Sequence, residues 1–130
     1  MDQSGVYVSS TVEKPWGRES IFAAFEGLYV GKIIEVRGGE SLSLQYHVNK
    51  TETITVLRGT GKVEYGMSAE QLASRIVNPG DTIHLPAGTL HRIASLEDLL
   101  FAEVSTAVPG WDTDVVRLED RYGRAGTTEP

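Results

Sequence analysis

The chain has no cysteine among its 130 residues, so a disulfide framework and a thiolate metal site are both excluded. Any metal it holds must rest on nitrogen and oxygen donors. Long apolar runs are also missing, and the opening MDQSGVYVSS has neither a basic stretch nor an apolar one of leader type. The expectation is a soluble, cytoplasmic protein with no membrane partner. Basic residues are in the minority: twelve Lys and Arg against eighteen Asp and Glu leave a net charge of -6. Apart from a late group at Arg117, Arg121 and Arg124 they are scattered, so the basic face that a nucleic acid requires is absent. Sustained helical periodicity is scarce as well. The one helix-like stretch is SAEQLAS, residues 68–74, where Ser68 and Gln71 are spaced as a capping box.

What is present is punctuation. Fourteen glycines separate short stretches rich in Val, Ile, Leu, Tyr and Thr, the pattern of an all-β sandwich or barrel. Strands are expected over 18–26, 28–36, 41–48, 53–58, 61–66, 75–77, 81–85, 90–95 and 98–106. Turn chemistry at Gly38-Gly39, Gly59-Thr60-Gly61 and Asn78-Pro79-Gly80 predicts hairpins there. The length suits one domain able to bury a core, with a loose tail over 125–130.

The segment LSLQYHVNKTE, residues 42–52, carries the first sign of chemistry. Alternation along a strand puts Leu42, Leu44 and Tyr46 on one face and Ser43, Gln45 and His47 on the other. Either the polar face meets water, or it lines a small barrel that holds a ligand. In the second case the apolar face needs a cover: another sheet, the N-terminal segment or a partner subunit. A homodimer through this face is the expected assembly.

Two stretches bear on that choice. One runs from Gly39 through Gln45, His47 and Glu52 to Gly59, and the other from Gly80 through Pro86, Gly88 and His91 to Ser95. Their spacings resemble the two motifs of the cupin superfamily, with Gln45 in place of the first histidine and Ser95 in place of a final asparagine. The resemblance implies a cupin-type jelly-roll β-barrel. The chemistry follows independently from residue types. Residues 45 and 47 project side by side from a strand, a turn over 48–51 returns Glu52, and the Pro-Ala-Gly corner at 86–88 swings His91 in. Gln45, His47, Glu52 and His91 then form an N2O2 set for one divalent ion with positions left open for substrate. Zn²⁺ is the first choice and Mn²⁺, Co²⁺, Ni²⁺ and Fe²⁺ also suit it. The other reading is a metal-free cavity in which the same groups hydrogen-bond one another. His84 lies outside the pattern and is expected as a half-buried strand residue.

KPWGRE (14–19), LSLQYH (42–47) and DVVRLEDRYGR (114–124) are similar to the cupin domain at the C-terminus of type II phosphomannose isomerases. Those enzymes are often fused to a mannose-1-phosphate guanylyltransferase. The likeness spans about residues 12–124; a GxGTRLWP-like nucleotide loop is absent, so the cupin part alone is expected. It implies a metal-dependent aldose-ketose isomerase acting on mannose 6-phosphate and fructose 6-phosphate. Glu103 is the implied base, with a surface or salt-bridged glutamate as its alternative, and Lys50 stands beside it as a second catalytic candidate. Lys50, Arg117 and Arg124 are phosphate candidates, since guanidinium groups suit bidentate contacts; Arg121 is expected to clip the C-terminal segment to the barrel instead. The family's HHHRAEHW is HVNKTETI here, and its EVQTG is EVSTA. These departures leave open a non-catalytic module that binds a sugar phosphate or nucleotide sugar. An iron dioxygenase is a third reading, against which the weakly donating Gln45 argues.

Overall fold

The computed structural model describes residues 4–127. Nine strands build one curled, wholly antiparallel sheet: β1 (Ser10–Lys14), β2 (Gly17–Phe25), β3 (Tyr29–Val36), β4 (Leu44–Tyr46), β5 (Glu52–Gly66), β6 (Ala73–Val77), β7 (Thr82–Leu85), β8 (Leu90–Ser105) and β9 (Val116–Glu119). One side runs β1-β2-β3-β8-β4-β9, while β5 pairs with β8 along its whole length and with β7 and β6 at its two ends. The core between them contains Trp16, Ile34, Ile54, Val63, Leu99 and Phe101.

The two longest strands explain most differences from the sequence reading. Segments 53–58 and 61–66 belong to the single strand β5, and 90–95 and 98–106 to β8. Inward positions on β5 are 52, 54 and 56 before Gly59 but 61 and 63 after it. Three register shifts against β8 fall between Val56 and Gly61, where five steps on β5 face six on β8, and the inward phase of β5 reverses across them. Gly59-Thr60-Gly61 is therefore a bend inside a strand and not a hairpin. Gly59 has φ +86°, and a Cβ there would lie 2.0 Å from the carbonyl oxygen of Asp98 on β8. Gly59→Ala thus meets both a backbone and a steric penalty, and is expected to cost on the order of 3 kcal/mol in urea unfolding.

The turns at Gly38-Gly39 and Asn78-Pro79-Gly80 do form, closed by Glu40 N–H to Arg37 O and Asp81 N–H to Asn78 O, both 2.9 Å. Neither closes a hairpin, because β3 does not pair with β4, nor β6 with β7. Each hands the chain to a different part of the curled sheet. SAEQLAS is no helix: it makes a turn at 68–71 and then enters β6. Strand β1 escaped notice because it is largely exposed and holds a single apolar side chain, and β9 because it is only four residues long, although Val116-Arg117-Leu118-Glu119 does alternate. In the tail, Gly126 and Thr127 are hydrogen-bonded back to Arg117 and Arg124, while 128–130 lie outside the described residues.

The apolar face expected on β4 is not a face. Leu42 lies ahead of the strand and lines the same cavity as Gln45 and His47. Leu44 is 2% exposed within a single chain. Neither Leu42 nor Leu44 therefore needs a partner subunit to cover it.

A candidate metal centre beside a charged cavity

Strand β4 lies between β8 and β9, and Gln45 sits opposite His91 on one side and Arg117 on the other. Facing partners on neighbouring strands project from the same side, so the short strand draws these three residues together. The chain then turns through 48–51 and enters β5 at Glu52. The corner at 86–88 docks on that turn through Gly88 N–H to His47 O (2.8 Å) and Ala87 N–H to Thr51 Oγ1 (3.1 Å). This docking brings His91 towards His47.

The result is a buried group of three: His47, Glu52 and His91, whose ligand atoms all lie within 4.8 Å of one another. Glu52 Oε1 is 3.2 Å from His47 Nε2 and 3.0 Å from His91 Nε2. The outer ring nitrogens decide what this means. His47 Nδ1 donates to the carbonyl of Asp114 at 2.6 Å, and His91 Nδ1 donates to that of Thr89 at 3.0 Å. A carbonyl can only accept, so each Nδ1 carries a proton; the Nε2 that faces Glu52 then either carries a second proton and donates to the carboxylate or, without it, presents a lone pair to the carboxylate oxygen. Lone pairs facing one another at this distance call for a cation between them, either a second proton on each ring or a metal ion. The three side chains therefore fit a divalent ion, and carbonyl-anchored outer nitrogens are the usual support for histidine ligands.

Gln45 lines the adjoining cavity, and its Oε1 accepts a hydrogen bond from Ser43 at 2.6 Å. Lys50 is buried with Nζ 4.0 Å from Glu52 Oε2, and is not among the residues lining the cavity. Ser95 is buried and donates to Glu97 O, while His84 is exposed and bonded to Thr53 rather than half-buried.

The cavity, about 100 Å³, opens from the His47–Glu52 edge of the cluster. Across its wall runs a row of ionisable side chains, one from each of five successive strands: Lys14, Glu19, Lys32, Glu103 and Glu52. Lys32 and Glu103 are direct partners across β3 and β8. Glu19 pairs with Lys32 at 2.5 Å and with Lys14 at 3.5 Å. Burial, and then the charge of Glu52, push the Glu103 carboxyl up to about 8. Burial alone would raise Glu52 too, but its hydrogen bonds to His47 and His91 hold it well below the ordinary carboxylate range. Adjacent carboxyls are thus driven apart, one ionised and one able to exchange a proton near neutrality. Burial lowers Lys14; it also opposes the charge of Lys32, where Glu103 and Glu19 more than compensate.

Arg117 and Arg124 are both buried and line this cavity. Arg124 is held by Asp120 through Nε at 3.0 Å and Nη2 at 3.2 Å. Arg121 donates to Gly39 O at 2.8 Å, so it clips the C-terminal segment through a backbone carbonyl. Lys14, Glu19 and Lys32 were missed as site residues. A signal existed for Lys32, which falls in phase with Val30, Ile34 and Val36.

This arrangement matches a known lineage. A family model described as "Mannose-6-phosphate isomerase C-terminal" matches residues 1–120. The chain belongs to the mannose-6-phosphate isomerase C-terminal family. Within that family's reach, mannose-1-phosphate guanylyltransferase ManC of Salmonella typhimurium is 33% identical over 115 residues, covering 87% of this chain and 23% of that protein. The chain thus spans about a quarter of the length of the curated relatives it matches. Among solved structures, the capsular polysaccharide assembling protein CapF from Staphylococcus aureus superposes with a TM-score of 0.76 at 16% identity, over 88% of this chain and 33% of that one. Oxalate decarboxylase from Bacillus subtilis gives a TM-score of 0.69 at 18% identity, over 84% and 29%. At such identities the likeness concerns the fold, which is the cupin-type jelly roll. Among the described residues, no helix is long and apolar enough to cross a membrane.

Proposed function

We propose that this domain is a metal-dependent sugar-phosphate isomerase interconverting mannose 6-phosphate and fructose 6-phosphate. One observation carries the reading: a single cavity joins the His47–Glu52–His91 cluster, the buried carboxyl of Glu103 and a set of cations. His47, Glu52 and His91 would hold the ion, with Gln45 as a fourth donor, and Zn²⁺ is preferred over Mn²⁺, Co²⁺, Ni²⁺ and Fe²⁺. A divalent ion there supplies polarisation of the oxygens at C1 and C2 of the sugar. Glu103 takes the proton from C2 of the aldose and returns it to C1, while the hydroxyl proton on O2 passes to O1. The substrate passes through an enediol, and no atom is gained or lost.

Lys50 neutralises the second oxygen of Glu52 and so supports the ligand rather than the reacting carbons. The phosphate is assigned to Arg117 and Arg124 together with Lys14 and Lys32, which extend the earlier candidates. Lys14→Met is expected to raise KM for mannose 6-phosphate about tenfold or more while changing kcat little, the loss of one charge-assisted contact; steady-state kinetics read it. The reading itself is tested by a coupled assay for fructose 6-phosphate with each metal added in turn. Turnover supports it. Calorimetric binding of mannose 6-phosphate without product would make the domain a binding module.

A further inference from the structure

Asp114 belongs to no strand, yet it makes four contacts with the turn that carries His47. Its carboxylate accepts three backbone N–H groups, with Oδ1 on Val48 at 2.8 Å and Oδ2 on Asn49 and Lys50 at 2.9 Å each. Its carbonyl accepts Nδ1–H of His47 at 2.6 Å. The single-turn 3-10 segment Trp111–Thr113 delivers it, closed by Trp111 N–H to Val108 O at 3.0 Å and Thr113 N–H to Gly110 O at 3.1 Å. Successive amides converging on one carboxylate make a small anion nest, here filled by the protein's own side chain. One residue therefore fixes both the backbone that presents His47 and the ring nitrogen that faces away from Glu52.

We infer that Asp114 is a positioning residue of the metal centre, locking the 48–50 turn and the Nδ1–H tautomer of His47 so that Nε2 stays aimed at Glu52 and the ion. The inference rests on the metal reading proposed above and goes beyond it. The ligands lie on strands and turns of the barrel, whereas this lock comes from the C-terminal segment that also carries Arg117 and Arg124. Loss of the carboxylate releases three amides together and with them the placement of one ligand, although no ligand atom has changed. Outer partners of this kind alter metal affinity by about 10- to 100-fold.

The test compares wild type, D114A and T106V by Co²⁺ titration against a chromophoric chelator, with folding checked by circular dichroism. Thr106 Oγ1 accepts the Thr51 amide at 3.1 Å, so T106V loosens the same turn without touching the Asp114 clasp. D114A is expected to bind Co²⁺ about 10- to 100-fold more weakly, and T106V within about twofold of wild type. In the metal-free protein, ¹⁵N NMR of the imidazole rings is expected to show His47 as the Nδ1–H tautomer in wild type and as a mixture in D114A. Affinity within about threefold of wild type in folded D114A, with an unchanged His47 tautomer, overturns the proposal. Should D114A fail to fold, D114N keeps one acceptor oxygen and carries the same expectation at smaller size, so wild-type affinity in it has the same force. If no form binds Co²⁺, the metal reading fails, and the tautomer measurement still decides the role of Asp114.

Discussion

Replacing Glu103 with glutamine is expected to lower kcat for mannose 6-phosphate isomerisation by about 10³-fold, the range seen when a general base is removed. KM and bound metal should change little. Glutamine keeps the size and the hydrogen-bonding reach but cannot take a proton. Because Glu103 is buried beside Glu52 and Lys32, no water-exposed carboxylate stands ready to replace it. A second consequence concerns stability. The folded Glu103 binds its proton up to about pH 8, whereas the unfolded chain releases it near the ordinary carboxylate value of 4.5. Between those values the native state holds more protons than the unfolded one, so this residue's contribution is fully present below about pH 4.5 and is lost as pH rises towards 8. Denaturant unfolding of the metal-free protein across this window should fall more steeply in wild type than in E103Q. Full turnover in E103Q would remove Glu103 from the chemistry, and parallel stability profiles would remove the ionisation argument.

Glu52→Ala should produce the other large effect, on the metal. One carboxylate oxygen lies within 3.2 Å of both inner imidazole nitrogens, so its loss takes away the only anionic donor of the cluster. An affinity loss on the order of 10³-fold is expected, greater than for changes to supporting residues, with elemental analysis after purification without chelator as the readout. Metal-free E52A should also be less stable by about 3 kcal/mol, because buried Lys50 is left without its nearest carboxylate partner. Retained metal in folded E52A would mean the ion binds elsewhere.

Much of the site was legible in the sequence because its ligands follow motif spacing, and His47, Glu52 and His91 do meet. The strands were legible through alternation, except where alternation changes phase. The irregular pairing around Gly59 looks from the sequence like a turn; only the crossing of β5 over Asp98 distinguishes the two. The same crossing makes β5 and β8 continuous, which is why turns at 38–39 and 78–80 join strands that never pair. Lys50 neighbours the ligands in sequence, but it lies in the 48–51 turn with Nζ 4.0 Å from Glu52 Oε2 and does not line the cavity. Asp114 carried no local signal at all. Its partners are 64 to 67 positions away, a separation that pattern reading does not span.

The row from Lys14 to Glu52 draws one member from each of five strands, and this makes it a checksum on how those strands are aligned. A slip of one residue in any of them would send its charge out to solvent and leave a neighbour's charge buried with no counterpart. A slip of two residues keeps every side chain on its own face, and there one apolar group can stand in for another at small cost. Buried ionisable groups that depend on particular neighbours cannot, so the residues that prepare this cavity for chemistry also penalise the misaligned sheets in which the cavity could not exist.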